Sequence, residues 1–177
     1  MNKLKEVKIY TDGGCLGNPG PGGYGVVLLY GNYRKELSGG FRLTTNNRME
    51  LTAAIEGLRA LKYQCQVKLY SDSQYLVDAI NKGWLVKWRN NNWKKSNKDE
   101  VKNIDLWQDL WELCGRNEIT FIWVKGHAGI VGNERCDTLA MEAANRQNLP
   151  PDIVYERENP HLLLPTMKAG YINIPER

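Results

Sequence analysis

Tyr10-Thr11-Asp12-Gly13-Gly14-Cys15-Leu16-Gly17-Asn18-Pro19-Gly20-Pro21-Gly22-Gly23-Tyr24-Gly25 is the stretch that decides the reading of this chain. Val7, Ile9 and the Tyr10-Thr11 pair before it read as a short strand that ends on one acid, Asp12. Seven glycines then fall within the thirteen positions 13–25. Glycine loses more conformational entropy on folding than any other residue, so this density needs a reason. Two are open: a long hairpin loop, or a ligand with its own bulk that approaches the bare backbone beside Asp12. Polyanions and metal ions both suit such a place.

Strand-like segments surround the stretch. Residues 4–11 and 24–30 are rich in Val, Ile, Leu and Tyr, and a third segment, 33–43, follows the turn at Gly31-Asn32. Short connections favour an antiparallel meander. Asn46 or Asn47 then caps a helix to about Lys62, with Leu51, Ala54, Ile55, Leu58 and Leu61 on one face. A fourth strand carries Val67, Leu69 and Tyr70. Ser71, Asp72 or Ser73 caps the next helix, which carries Tyr75, Leu76, Ala79 and Ile80. A basic segment follows. A helix over about 102–115, a strand over 118–124 and a helix over about 133–145 complete the pattern. The order βββ-α-β-α-α-β-α predicts an α/β fold with a mixed five-stranded sheet flanked by helices. Prolines at 150, 151, 160, 165 and 175 forbid long regular structure in the last thirty residues. We read 1–146 as one domain, the basic segment 81–102 included, and 147–177 as a tail that either packs on the body or wanders.

The bulk numbers exclude several classes. A length of 177 residues suits one domain with a sizeable core. No apolar run approaches the roughly 20 residues of a membrane span. The start, Met1-Asn2-Lys3-Leu4-Lys5-Glu6, lacks a signal peptide's apolar core. A cytoplasmic protein is expected. Cys15, Cys65, Cys114 and Cys136 are too dispersed for a zinc site and read as buried free thiols in a reducing compartment. The formal net charge is +4. Within 81–102, however, seven cations face only Asp99 and Glu100, so this one segment holds the whole positive surplus. Such a concentrated basic patch is the footprint of a polyanion binder.

Four acids fall at element boundaries. Asp12 ends the first strand and Asp72 ends the fourth. Strands one and four are candidates for neighbours, and ligands collect at strand ends where chain order switches direction. Glu50 lies one turn into the first long helix and flanks its buried stripe. Asp137 lies in the first turns of the last helix. If they converge, the four cannot all stay ionised without a cation. Oxygen-only ligands favour Mg²⁺ or Mn²⁺, and two such ions about 4 Å apart suit phosphodiester cleavage.

The glycine-rich loop after Asp12, Thr-Thr-Asn-Asn-Arg-Met-Glu at 44–50, Asp-Ser-Gln at 72–74, Val-Lys-Gly-His-Ala-Gly at 124–129 and Asn-Glu-Arg-Cys-Asp at 133–137 together resemble bacterial ribonuclease HI. The resemblance covers about residues 5–145, with the motifs in the family's order. It implies the ribonuclease H fold and hydrolysis of the RNA strand of RNA/DNA hybrids with two Mg²⁺ ions, Mn²⁺ being a possible substitute. The expected products carry 5′-phosphate and 3′-hydroxyl ends. Asp12, Glu50, Asp72 and Asp137 match the family's metal-binding carboxylates. His127, between glycines, matches its mobile-loop histidine, which assists proton transfer or product release.

Cys15, Asn18, Asn46, Asn47 and Gln74 resemble the group that reads the RNA strand's 2′-hydroxyls. Amides and backbone groups both donate to and accept from a 2′-OH, the group that distinguishes RNA from DNA. Thr45 and Asn103 resemble members of a DNA-phosphate pocket. The family often has arginine two residues before that threonine, where this chain has Leu43. The pocket is then either weaker or completed by Lys or Arg of the basic segment. Residues 84–95 resemble the family's basic protrusion, with Trp84, Lys87, Trp88, Arg89, Lys94 and Lys95 as substrate contacts, although Asn90 to Asn92 dilute its cations. At least one of Trp84 and Trp88 is expected to pack the protrusion on the body. A monomer that binds hybrid and no membrane is expected. The competing readings are a DNA-processing nuclease of the same architecture and a non-catalytic hybrid-binding module.

Overall fold

The computed structural model describes residues 4–163. Strands β1 (Lys5–Cys15), β2 (Gly20–Tyr30), β3 (Tyr33–Thr44), β4 (Cys65–Ser71) and β5 (Glu118–Trp123) form one sheet in the order β3-β2-β1-β4-β5. The pairs β1–β2 and β2–β3 are antiparallel, and β1–β4 and β4–β5 are parallel. This mixture follows from hairpins first and helical crossovers later. The expected neighbours, β1 and β4, do pair, with Thr11 opposite Ser71. That register brings Asp12 and Asp72 to the same end of adjacent strands.

Six helices flank the sheet: α1 (Asn46–Arg59), α2 (Gln74–Asn81), α3 (Trp84–Asn90), α4 (Ile104–Arg116), α5 (Val131–Ala144) and α6 (Ile153–Glu158). Side chains alternate across a strand. Val26 and Leu28 of β2 accordingly join the larger core with Leu51, Ile55 and Leu58 of α1, while Val27 joins Cys136 and Leu139 of α5 on the opposite face. Trp107 of α4 is fully buried in the larger core. Truncating Leu58, 1% exposed, to alanine would cost about 2–5 kcal/mol through lost transfer energy and a cavity.

Three expectations need correction. The glycine-rich stretch is no long bare loop: β1 runs on to Cys15 and β2 begins at Gly20, leaving only Leu16 to Pro19 between them. Packing between elements explains most of its glycines. A Cβ on Gly13 would collide with the backbone of Met49 and Glu50, and one on Gly23 or Gly25 with the Ala140 or Cys136 carbonyl of α5. The first long helix is capped by Thr45, neither by Asn46 nor by Asn47. Thr45 is extended, its side chain accepts from the Arg48 N–H, and the Asn46 amide is drawn away to Cys15. The basic segment contains a helix of its own, α3, which the expected order lacks, as it lacks α6.

The tail packs over its described part. Residues 150–159 cross the end of β3: the Arg42 N–H donates to Pro150 O at 2.9 Å, and α6 is capped by Asp152. Pro165 and Pro175 lie outside the described residues. Among the described residues no helix is long and apolar enough to cross a membrane.

Candidate active site

Three elements deliver three carboxylates to one point. Asp12 comes from β1, Asp72 directly follows β4, and Glu50 comes from the second turn of α1. Because Gly13 has no side chain, α1 lies directly against β1 there, which sets Glu50 beside Asp12. One ligand oxygen of each of Asp12, Glu50 and Asp72 lies within 4.8 Å of the others. Asp12 is 8% exposed, and its Oδ1 accepts from the Gly13 N–H at 2.8 Å. The Glu50 Oε2 is buried without a hydrogen-bond partner among the described residues.

The electrostatics follow from that crowding. Burial, then the negative charges of Asp72 and Asp137, push the Asp12 carboxyl up to about 7. Burial, then Asp12 and Asp72, hold Glu50 well above the usual carboxylate range. Buried like charges favour protonation unless a cation compensates them. An oxygen-only donor set with one orphaned buried carboxylate oxygen fits a hard divalent cation.

Asp72 is held from two sides. The Trp123 indole N–H donates to its backbone carbonyl at 3.0 Å. A Cβ on Gly126 would sit 2.6 Å from its Oδ2, so the loop before α5 lies against the carboxylate. That loop carries His127, which is exposed and has a left-handed backbone (φ 53°). His127 Nδ1 is 4.0 Å from Asp137 Oδ2. Asp137 itself stands apart from the close triad. It faces Asp12 and Glu50 across a cleft of about 290 Å³ that also touches Cys15, Asn46 and Met141.

The amide-bearing residues are stitched together at the start of α1. The Cys15 N–H donates to Asn46 Oδ1 at 2.8 Å, and the Asn46 N–H donates to Asn18 Oδ1 at 3.1 Å. Asn47 is exposed beside them, and Gln74 is exposed two residues after Asp72. A second cavity, about 710 Å³, is lined by Asn18, Thr45, Asn47, Lys102, Asn103 and Tyr155. Lys102, from the basic segment, is among the residues that line it. Leu43 offers no charge, and the adjacent Arg42 is bound by Glu156 in a bidentate pair at 2.9 and 2.7 Å.

On the protrusion, Trp88 packs edge-on against Trp107 at 5.6 Å, so this residue anchors α3 to the body. Trp84 is 37% exposed with Lys82 above its ring. Arg89 lies over the Trp111 ring at 4.7 Å, while Lys87, Lys94 and Lys95 are exposed. The chain beyond α3 folds back as a small turn, with Lys94 bridged to Glu100.

Sequence reasoning missed one cluster. Arg48, 3% exposed, donates to Asp152 through Nε at 2.7 Å and to Asp105 through Nη2 at 2.7 Å, and Asp152 also accepts from the Thr44 hydroxyl at 2.8 Å. Arg48 stood in a quoted motif without a role. Asp152 lay in the proline-rich tail, where no local pattern marks a buried acid.

The RNase H family model matches residues 4–145. A ribonuclease H of Syntrophus aciditrophicus (strain SB) is 66% identical over 151 residues, covering 85% of this chain and 87% of that protein. A ribonuclease H of Rippkaea orientalis is 62% identical over 154 residues, covering 87% and 94%. Among solved structures, LC9-RNase H1, described as a type 1 RNase H with the type 2 active-site motif, matches with a TM-score of 0.74 at 31% identity, covering 84% of this chain and 76% of that one. LC11-RNase H1, solved in complex with RNA/DNA hybrid, matches with a TM-score of 0.61 at 25% identity, covering 78% and 96%. With its sheet order, its carboxylate triad and these relatives in agreement, the chain belongs to the ribonuclease H family.

Proposed function

We propose that this protein hydrolyses the RNA strand of RNA/DNA hybrids endonucleolytically, leaving 5′-phosphate and 3′-hydroxyl ends. The observation that carries the reading is the triad of Asp12, Glu50 and Asp72, short of positive charge and rimmed by amides. Asp12, Glu50, Asp72 and, across the cleft, Asp137 would hold two Mg²⁺ ions, with Mn²⁺ as substitute. Bound there, such ions lower the pKa of a water and stabilise the charge of a leaving oxygen.

The chain's own groups do the rest. Cys15, Asn18, Asn46, Asn47 and Gln74 lie within reach of a strand crossing the start of α1 and read its 2′-hydroxyls. Neutral donors and acceptors serve here because a 2′-OH does both. His127, exposed on its loop beside Asp137, moves a proton for the departing 3′-oxygen or helps the product leave. Thr45, Lys102 and Asn103 seat a phosphate of the DNA strand. Trp84, Lys87, Arg89, Lys94 and Lys95 add affinity along that strand, while Trp88 serves mainly to fix α3. We further propose a cytoplasmic monomer.

One gel assay tests the reading. Labelled RNA/DNA hybrid, RNA duplex, DNA duplex and each single strand are incubated with Mg²⁺ or with EDTA. Cleavage confined to the RNA of the hybrid, and only with metal, is expected. Equal cleavage of DNA duplex would assign a DNA-processing nuclease. Tight hybrid binding without cleavage in Mg²⁺ would leave a binding module.

A further inference from the structure

Helix α6 is anchored firmly for an element of six residues. Asp152 and Glu156, one helical turn apart on α6, are 4% and 6% exposed. Both are acids, and an unpaired buried acid is costly. Each is matched: Asp152 by Arg48 and Thr44, and Glu156 by the bidentate Arg42. The elements so gripped are the end of β3 and the start of α1. Through Arg48 the grip extends to Asp105 and, at 3.5 Å, to Asn103 Oδ1. Thr45 and Asn103, which line the 710 Å³ cavity, are therefore braced by the tail.

The tail also supplies a wall of that cavity. Tyr155, on the same short helix, lines it together with Glu158 and Asn159. The Tyr155 ring lies 6.0 Å from the Arg48 guanidinium, and its hydroxyl makes no hydrogen bond to any described residue. Its neighbours are otherwise engaged. The Arg48 charge is matched by Asp105 and Asp152, and the Asn159 amide N–H donates to the Tyr155 carbonyl at 2.9 Å. Of the three tail residues on the wall, Glu158 offers only acceptors at neutral pH. Tyr155 presents a free hydroxyl donor there, beside the second N–H of the Asn159 amide.

We propose that Tyr155 is a further substrate-positioning residue, whose hydroxyl donates to a phosphate of the DNA strand in the cavity of Thr45, Lys102 and Asn103. This rests on the reading of that cavity as the seat of a DNA phosphate. The tail is then part of the nucleic-acid site, and the two buried acids are what hold it there.

Binding of the intact protein to a fluorescent RNA/DNA hybrid in EDTA tests this, with Tyr155→Phe and Lys102→Ala beside the parent. Removal of one hydrogen bond should weaken binding by Tyr155→Phe about three- to tenfold, with the melting temperature unchanged. In steady-state cleavage with Mg²⁺, KM should rise by the same factor and kcat should hold. The same hybrids are then made with a single uncharged methylphosphonate at successive DNA linkages. At one linkage the loss from the methylphosphonate and the loss from Tyr155→Phe should not add, because both remove the same contact. Additive losses at every linkage would overturn the proposal and leave Tyr155 a structural residue. If Tyr155→Phe binds like the parent while Lys102→Ala weakens binding, the proposal fails and the phosphate reading of the cavity stands. If neither variant matters, both fail.

Discussion

Helix α1 carries two residues, Arg48 and Glu50, that belong to two opposite kinds of acidic cluster. Around Arg48, Asp105 and Asp152 share a guanidinium that meets both within hydrogen-bond distance. Burial works to raise the Asp105 carboxyl, but the hydrogen bonds and charge of Arg48 outweigh it and hold the group below its usual range. Around Glu50, Asp12 and Asp72 have no such partner among the described residues, and both Asp12 and Glu50 are pushed upward. The chemistry of the side chains is the same in both places. What differs is whether the fold supplies the cation. Where it does, the cluster joins the tail to the body; where it does not, the cluster is left to bind one from solution.

The sharpest way to break this comparison is to remove one acid from the unmatched cluster. Asp12→Asn keeps the size and removes the charge. Cleavage of hybrid should fall more than about a thousandfold, since metal-dependent stabilisation is worth several kcal/mol. The melting temperature in EDTA should rise, because a repulsion is relieved. Near-parent turnover by the folded variant would sink the assignment, and a lower melting temperature would sink the account of crowding. The matched cluster should respond in the opposite way. Arg48→Met leaves Asp152 buried without its charge partner and should cost about 3–5 kcal/mol in urea denaturation. A loss below about 1 kcal/mol would mean that Thr44 and the cap of α6 satisfy Asp152 unaided.

Adding a divalent cation is a gentler perturbation. At a hundredfold excess over its dissociation constant, Mn²⁺ should stabilise the parent by about 2.7 kcal/mol, and Asp12→Asn far less. A calorimetric titration with both proteins measures this. The smallest effect is on pH. The Asp12 pKa is raised from 3.8 to about 7, so between those values the folded protein holds a proton that the unfolded chain does not. Stability of the metal-free protein should therefore increase as pH falls from 8 to 5, by about 1–2 kcal/mol. Asp105 acts with the opposite sign. Its lowered pKa gives a contribution that is complete above about pH 4 and is lost as pH falls further. Urea midpoints in EDTA at pH 3, 5 and 8 should thus peak at pH 5, and saturating Mn²⁺ at pH 8 should erase the gap between pH 5 and 8. A midpoint that rises steadily to pH 8 without metal would contradict the distinction between the clusters.

Asp12, Glu50 and Asp72 could be read as partners from the sequence because each closes or opens a regular element, and regular elements announce themselves by spacing. Asp137 was legible in the same way, though the structure leaves it across the cleft from the close triad, whereas His127 was named from the family resemblance. The glycines were visible but misjudged. A residue with no side chain signals that something lies close, and it does not say whether that is a ligand or, as with Gly23 and Gly25, the backbone of α5. Helix α3 was obscured by a composition that looked like a charged loop, yet Trp84 and Trp88 at i and i+4 were its signature.

By itself the sequence determined the order of the strands and of every helix but α3 and α6, the mixed sheet, the acids at strand ends and the location of the positive surplus. These are properties of spacing and local propensity, which act over a few residues. Only the tertiary structure decided that Arg48 meets Asp152 across 104 residues, that Arg42 meets Glu156 across 114, and that the tail lines a cavity with Thr45 and Lys102. Such meetings depend on which strand lies at the sheet edge and on the register that aims each side chain. A shift of one residue in β3 would turn Arg42 to the other face and leave Glu156 without its cation.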